Sequence, residues 1–200
     1  LTHGQMAFVV TNHLCDLMPG TTEADASLAL APLSHGAGIH ALTQIARGVP
    51  TILPTSERFD AAEMWALIER HRVTNMFTVP TILKLLVEHP SAAAADTASL
   101  RYVIYAGAPM YRADQIRALE VLGPVLVQYF GLGEVTGNIT VLPPAHHSAD
   151  DAAMLPLTRA GIIRRLYAAV RQDDLNQPYM AHVLRLSRTE PLRMLRGPSS

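Results

Sequence analysis

The sequence contains a single cysteine, Cys15, in 200 residues, so no disulfide can form within it. Cys15 lies in an apolar, helix-like run, where a free cysteine is most often a small buried hydrophobic residue, and we expect it to be buried. Excess charge of either sign is also lacking, because 16 basic and 17 acidic residues leave a formal net charge of -1. Such a balance produces no long-range field, so we expect neither nucleic acid nor an anionic lipid surface as a partner.

Long hydrophobic runs are absent as well. No stretch approaches the roughly 18 to 20 consecutive apolar residues that span a bilayer, and no signal peptide opens the chain. The absence of these segments, together with the presence of only one cysteine, predicts a cytoplasmic protein without a transmembrane segment. Hydrophobic residues make up 49% of the chain, too many for a disordered protein. The first residue is Leu1 rather than methionine, so we expect the sequence to be a piece of a longer protein or a processed chain.

Short β-branched segments alternate with amphipathic segments along most of the chain. Residues 73–79 have the pattern of a strand, and Pro80 follows as a helix start. Asp60 and Glu63 have the spacing of a capping box that begins a helix at 61–71. Similar patterns predict strands at 27–31, 49–53 and 101–105, helices at 39–46 and 112–122, and a surface loop at 91–96. Because parallel strands need crossover helices, the alternation predicts an α/β fold, a mainly parallel sheet flanked by helices.

One stretch, residues 124–138, is expected to carry the site that the other segments of the chain support. It begins as a short apolar strand, and we expect it then to break into a turn with two glycines that ends on one carboxylate, Glu134. In open α/β sheets, ligands bind beyond the carboxyl ends of the strands. A glycine there lets a flat or anionic ligand approach the backbone. From the residues alone, a plain strand-ending turn with a solvated glutamate fits the pattern equally well.

Residues 130–134, Phe-Gly-Leu-Gly-Glu, resemble the aromatic-Gly-x-Thr-Glu motif of the adenylate-forming acyl-CoA synthetases, also called AMP-dependent synthetases and ligases. In that family the aromatic side chain lies against adenine, and the glutamate helps to hold the magnesium ion that bridges the ATP phosphates. The resemblance implies that Phe130 and Gly131 bind the nucleotide and that Glu134 is a catalytic metal ligand. Gly133 stands where threonine is usual, which removes a hydroxyl group that would face the phosphate.

A second segment, residues 32–36 or Pro-Leu-Ser-His-Gly, is similar to the family segment whose histidine or aromatic residue lies between the acyl pocket and the phosphates. The resemblance therefore implies a catalytic role for His35. Gly36 and Gly38 behind it would leave room for a hydrocarbon chain, although small residues at a helix start are also routine packing.

Two more segments resemble the family, in the family's order. Residues 106–109 are similar to its Gly-Gly-Ala-Pro loop, whose backbone faces adenine, with alanine in place of the first glycine. The nucleotide-binding residues implied there are Ala106, Gly107, Ala108 and Pro109. Residues 1–5, Leu-Thr-His-Gly-Gln, resemble the residues that follow the family's phosphate loop. The loops after 105 and 129 are then expected to emerge at the same edge of the sheet.

The resemblance covers roughly residues 1–144, which we predict to be part of the large N-terminal adenylation domain, with 145–200 a divergent or truncated segment. In that segment His146 and His147 precede two aspartates, but adjacent side chains diverge, so we expect a solvated loop rather than a metal cluster.

The family's activity implies ATP or AMP, Mg²⁺, CoA and a carboxylic acid as ligands. A fatty acid, suggested by the glycines beside His35, would be activated as acyl-adenylate and transferred to CoA. The family's phosphate loop, ribose-binding aspartate and C-terminal lysine domain have no counterpart in the sequence, so we expect the chain to be inactive by itself. The alternative is a non-catalytic remnant that only binds nucleotide or packs against a partner.

Overall fold

The computed structural model describes residues 1–133 and 136–148, and the fold is given for these residues. Their α-helices are α1 (His3–Asn12), α2 (Gly36–Ala46), α3 (Ala61–His71), α4 (Pro80–Glu88) and α5 (Arg112–Leu122). Their strands are β1 (Ser27–Ala29), β2 (Thr51–Ile52), β3 (Asn75–Thr78), β4 (Tyr102–Tyr105), β5 (Leu126–Leu132) and β6 (Gly137–Leu142). A π-helical turn, His13–Leu17, continues α1, and short 3₁₀ turns lie at Pro90–Ala94 and Pro144–His146. None of these helices has the length and apolar character required to cross a bilayer.

The strands form one sheet in the order β2-β1-β3-β4-β5-β6. Every pair from β2 to β5 is parallel, and β5 pairs with β6 in the antiparallel sense. The parallel pairs are connected through helices, as the alternation of strands and helices predicts. The predicted α/β fold with a mainly parallel sheet is therefore confirmed.

The strand β5 is longer than the sequence pattern predicts. It does not give way to a turn before the first of the two glycines but continues to Leu132 and returns as β6, with a bulge between Phe130 and Gly131. A Cβ atom at Gly131 would lie 2.0 Å from the Gly137 carbonyl oxygen. The close approach of β6 by itself requires glycine at 131, and the nucleotide-binding role that the resemblance implies for Gly131 stays a prediction.

Most other differences from the sequence analysis lie at the ends of elements. Helices α3 and α5 have the predicted bounds, whereas α2 begins three residues earlier than predicted, at Gly36. The predicted capping box is half correct. The Asp60 carboxylate accepts hydrogen bonds from the N–H groups of Ala62 and Glu63, but the Glu63 carboxylate instead accepts from the Thr55 N–H at 2.7 Å. The predicted loop at 91–96 contains most of a 3₁₀ turn.

The two faces of the sheet are covered by different helices, because successive strand residues point to opposite sides. On one face, α3, α4 and α5 pack a large apolar core. Its buried side chains include Met64, Trp65, Ile68, Leu83, Leu86, Met76, Val103 and Leu126. The opposite face, below α1 and α2, has a smaller apolar cluster of Leu17, Met18, Ala37, Phe77, Ile104, Ala106 and Val127.

Two side chains contradict the expectations for their segments. Cys15 is exposed, since the residues that face inward from the π-helical turn are those at its two ends, His13 and Leu17. His147 is partly buried rather than solvated, because its ring packs edge-on against Tyr105. Its Nδ1 lies 3.1 Å from the Pro143 carbonyl and so carries the proton, which leaves Nε2 to accept from the Tyr105 hydroxyl, also at 3.1 Å.

Candidate functional site

The two loops predicted to bind nucleotide emerge side by side. Strands β4 and β5 are parallel neighbours, with Tyr105 opposite Gln128. Ala106 follows directly after Tyr105, and Phe130 lies two residues beyond Gln128. Both segments therefore stand at the carboxyl edge of the same two adjacent strands, where open α/β sheets bind ligands.

The loop that follows β4 exposes its backbone. Ala106 is buried, and its N–H donates to the Thr78 carbonyl at 3.4 Å. The next three residues are exposed, and Gly107 has a φ of 86°, which favours glycine. Among the described residues, the non-glycine residues with positive φ are Arg72 and Thr136, so alanine at 106 is unstrained. Replacement of the family's first glycine by Ala106 is thus compatible with the loop.

Phe130 lies on β5, the strand next to the one that this loop follows. It pairs with Thr140 of β6 beyond the last β5 residue that pairs with β4, and its side chain is 52% exposed, which leaves a face for stacking. Beyond it, Gly133 is exposed, and, its chain neighbours aside, no atom of the described residues lies within 4 Å of the position of a Cβ there. The Thr136 N–H closes the turn onto the Gly133 carbonyl at 3.1 Å, and Thr136 has a φ of 64°. Such a value is an outlier for a β-branched residue.

Glu134, the predicted metal ligand, lies outside the described residues. Within residues 1–133 and 136–148, no group of three histidine, cysteine, aspartate or glutamate side chains could hold a metal ion. A Mg²⁺ ion at this edge would depend on Glu134 together with phosphate oxygens and water, a ligand set that suits this hard cation.

His35 lies at the same edge of the sheet but further along it. It is the N-cap residue of α2 and is exposed, and its ring has no hydrogen-bond partner in the described part of the chain. It follows β1, which is three strand positions from β5 in the order β1-β3-β4-β5. At the usual strand spacing this separates the two loops by about 14 Å. A ligand that contacts both His35 and Phe130 must therefore be elongated.

The space beside the two glycines that follow His35 is filled by other parts of the chain. A Cβ at Gly36 would lie 2.8 Å from the Phe77 ring, and one at Gly38 would lie 2.0 Å from the Leu33 carbonyl oxygen. The sequence leaves two explanations open for these glycines, room for a hydrocarbon chain or routine packing at a helix start. Packing accounts for both Gly36 and Gly38.

Two buried histidines below the site are absent from the sequence predictions. His40, on α2, is hydrogen-bonded: its Nε2 lies 2.9 Å from Asn75 Oδ1 and 3.2 Å from Ser27 Oγ. Burial lowers the pKa of His40 to about 4, against the opposing effect of the Asn75 hydrogen bond, so the ring is neutral at pH 7.

His13, unlike His40, has a buried ring without hydrogen bonds among the described residues. It is 3% exposed, and neither of its ring nitrogens has a hydrogen-bond partner among the described residues. Burial lowers its pKa to about 4 as well. An unpaired buried polar group costs about 1–3 kcal/mol. A signal for His13 was present in the sequence, since it lies four residues after Val9 and four before Leu17, which both face inward.

An open, mainly parallel sheet with two exposed loops at the ends of adjacent strands defines a ligand-binding α/β domain. The model of the family described as AMP-binding enzyme matches residues 1–167. The chain belongs to this family.

Similar proteins agree with this membership. Feruloyl-CoA synthase from an Amycolatopsis species is 33% identical over 73% of this chain and 29% of its own length. The medium/long-chain-fatty-acid–CoA ligase FadD8 of Mycobacterium tuberculosis is 34% identical over 60% of this chain and 21% of its own. Among solved structures, the N-terminal domain of FACL13 from Mycobacterium tuberculosis superposes with a TM-score of 0.65, at 28% identity, over 74% of this chain and 36% of that one. The chain thus spans about a third or less of each of these proteins.

Proposed function

We propose that this chain provides the adenine-binding edge of an ATP-dependent acyl-CoA synthetase. The observation that carries the proposal is the placement of Phe130 and the loop at 106–109 on the carboxyl ends of two adjacent parallel strands. In this proposal the Phe130 ring stacks on adenine, and the backbone of the loop, Ala106, Gly107, Ala108 and Pro109, contacts its edge through the exposed residues 107–109. In the proposal, residues 1–144 form part of the adenylation domain and 145–200 are a divergent or truncated segment, although the family model still matches as far as residue 167.

The reaction has two steps. An oxygen of the substrate carboxylate attacks the α-phosphorus of ATP, the bond to the β-phosphate oxygen breaks, and pyrophosphate leaves. The thiol of CoA then attacks the acyl carbon of the acyl-adenylate, and AMP leaves. None of the proposed site residues is a nucleophile, so the protein contributes positioning and electrostatic stabilisation.

The separation of His35 from Phe130 supports this reaction. Strands β1 and β5 lie three strand spacings, about 14 Å, apart in the sheet, which fits a ligand with adenine at one end and an acyl group at the other. In the proposal, His35 lies at the junction of the acyl group and the phosphates. Glu134 would hold Mg²⁺, which when bound would neutralise charge on the phosphate oxygens.

We propose a fatty acid as the carboxylate. Support comes from FadD8, whose name specifies medium- and long-chain fatty acids, whereas the name of the feruloyl-CoA synthase specifies an aromatic acid. Both acids carry an apolar body on one carboxylate. The glycines beside His35 no longer support a hydrocarbon channel, because Phe77 and Leu33 occupy that space. Within the same proposal the setting is cytoplasmic, in keeping with a single cysteine.

The test is pyrophosphate release by a polypeptide of the relatives' length that contains residues 1–200. Glu134→Gln should lower the rate with ATP, Mg²⁺ and decanoate about 100-fold, since one preorganised electrostatic contact is typically worth roughly 10²–10³ in rate. Glu69→Gln, at an exposed position of α3, is the matched control and should leave the rate unchanged. An unaltered rate in the Glu134 variant would remove Glu134 from the metal site. Faster release with ferulate than with decanoate would refute the fatty acid.

A further inference from the structure

A short segment after β6 reaches back across β5 to β4. Leu142 on β6 and Tyr105 on β4 both pair with Gln128 of β5, one from each side. Between Leu142 and His147 the chain crosses β5, because the His147 ring packs edge-on against the Tyr105 ring, with the centroids 5.8 Å apart. We call residues 143–148 the strap.

The strap is hydrogen-bonded on either side of the loop at 106–109. Before the loop, the Tyr105 hydroxyl lies 3.1 Å from His147 Nε2. After the loop, Arg112, the first residue of α5, donates from Nη1 to the Ser148 carbonyl. The strap therefore contacts the last strand residue before the loop and the first helix residue after it.

The bond between Tyr105 and His147 has a defined direction. Burial raises the pKa of Tyr105 to about 12, against the opposing effect of a hydrogen bond with Gln115, so the hydroxyl keeps its proton. Burial also lowers the pKa of His147 below its ordinary value, so the ring is neutral at pH 7, and its Nδ1 donates the ring proton to the Pro143 carbonyl at 3.1 Å. Nε2 is then the acceptor of the ring, and the Tyr105 hydroxyl is its donor.

The strand pair that carries Phe130 is not held by β4. Gln128 is the last β5 residue that pairs with β4, and Phe130 lies two residues beyond it, opposite Thr140 of β6. Among the strands of the described residues, β6 has β5 as its one neighbour. Because β6 leads directly into the strap, the position of this outer pair relative to the loop at 106–109 depends on the strap as well as on β5.

We propose that His147 is a positioning residue of the nucleotide site: its hydrogen bond to Tyr105 fixes the strap, and with it the strand pair that carries Phe130, relative to the loop at 106–109. The role rests on the proposed function, in which adenine contacts both Phe130 and this loop. His147 itself touches neither the nucleotide nor the reacting atoms in this proposal.

Two substitutions of His147 separate the bond to Tyr105 from the rest of the ring. His147→Gln places an amide oxygen near the position of Nε2 and so keeps an acceptor for the Tyr105 hydroxyl. His147→Asn places an amide nitrogen near the position of Nδ1 and keeps only the bond to Pro143. AMP affinity, followed by NMR titration of the 200-residue chain, should stay within about twofold of wild type in His147→Gln and fall about fivefold in His147→Asn, the usual effect of one lost hydrogen bond.

Tyr105→Phe removes the same hydrogen bond from the other side and should weaken AMP binding as much as His147→Asn does. The double variant should bind AMP no more weakly than either single variant, because both changes remove one interaction. His146→Asn, at the exposed neighbouring position of the strap, is the matched control and should bind AMP like wild type. Before AMP is added, the ¹⁵N shifts of the His147 ring should show the proton on Nδ1.

Thermal stability distinguishes this role from simple packing. Both His147 variants lose the ring contact with Tyr105, so their melting temperatures should be nearly equal while their AMP affinities differ. Should either unfold the chain, the comparison of Tyr105→Phe with wild type decides the matter, since it changes one hydroxyl group.

Three results would overturn the positioning role while the proposed function stands. These are an AMP affinity that follows the melting temperature across the variants, losses that add up in the double variant, and a His147 ring with its proton on Nε2. If the wild-type chain binds no AMP, the proposed function fails, and the role of His147 fails with it.

Discussion

The two faces of the sheet differ in what they bury. Below α3, α4 and α5 the buried side chains are almost all apolar, and the Trp65 indole donates its hydrogen bond to the Leu86 carbonyl at 3.0 Å, which joins two of the helices. Below α1 and α2 the apolar cluster is smaller, and buried polar side chains, His13, His40, Gln44 and Asn75, lie close by. The first face thus provides most of the hydrophobic stability. The second face provides less, because part of its buried surface belongs to polar side chains.

The largest stability effect is expected on the apolar face. Ile68 is fully buried on α3, so Ile68→Ala should lower the free energy of unfolding by about 3 kcal/mol, through lost burial and the cavity that remains. Urea denaturation measures the change. Leu85→Ala, at a half-exposed position on α4, is the control and should cost less than about 1 kcal/mol. Equal losses in the two variants would contradict the assignment of this face as the main core.

The polar face should respond to pH instead. His40 is buried as a neutral ring, with its pKa lowered from 6.5 to about 4, so protonation favours the unfolded chain. Its contribution is complete above pH 6.5 and is lost as the pH falls towards 4, by about 2–3 kcal/mol at pH 4.5. His13, whose pKa is lowered in the same way, adds a similar loss.

The urea midpoint at pH 7 and at pH 4.5 measures this loss, and His13→Phe serves as its internal comparison. Because it removes one of the two titrating rings, this variant should lose less stability on acidification than wild type. An identical pH response in both proteins would show that His13 is not buried as a neutral ring.

The apolar face was the easier of the two to predict from the sequence. Helix α3 begins at Asp60, a capping residue, and carries apolar side chains at helical spacing, so its bounds follow from local chemistry. The convergence of residues 106–109 with Phe130 also follows, because consecutive parallel strands end at one edge.

What the sequence did not predict depends on contacts between distant residues. Strand β6 exists because it pairs with β5, and Gly131 is explained only by the carbonyl of Gly137 that approaches it. The exposure of Cys15 depends on the π-helical turn, for which no local residue pattern gives a signal. Likewise, Glu63 has the spacing of a capping box, but the Thr55 N–H competes for its carboxylate.

A smaller effect is expected at the site itself. Phe130→Ala should weaken AMP binding by about 1 kcal/mol, roughly fivefold, because the exposed ring supplies one stacking face. Ligand-observed NMR titration measures the change. Phe8→Ala, which removes an exposed ring from α1, is the matched control and should bind AMP like wild type. Equal weakening by both variants would assign the effect to general loss of apolar surface rather than to stacking.

The most direct test of the nucleotide site is an AMP titration of the uniformly ¹⁵N-labelled chain, with the amide shifts mapped on the sequence. The account predicts weak binding, near the millimolar range or about −4 kcal/mol. It predicts the largest shifts at Gly107, Ala108, Phe130 and Gly131, and none at Arg58, Phe59 or His89, which line a groove beside α3 and α4. Shifts confined to that groove, or no shifts at 10 mM AMP, would contradict an adenine site at the carboxyl edge of β4 and β5.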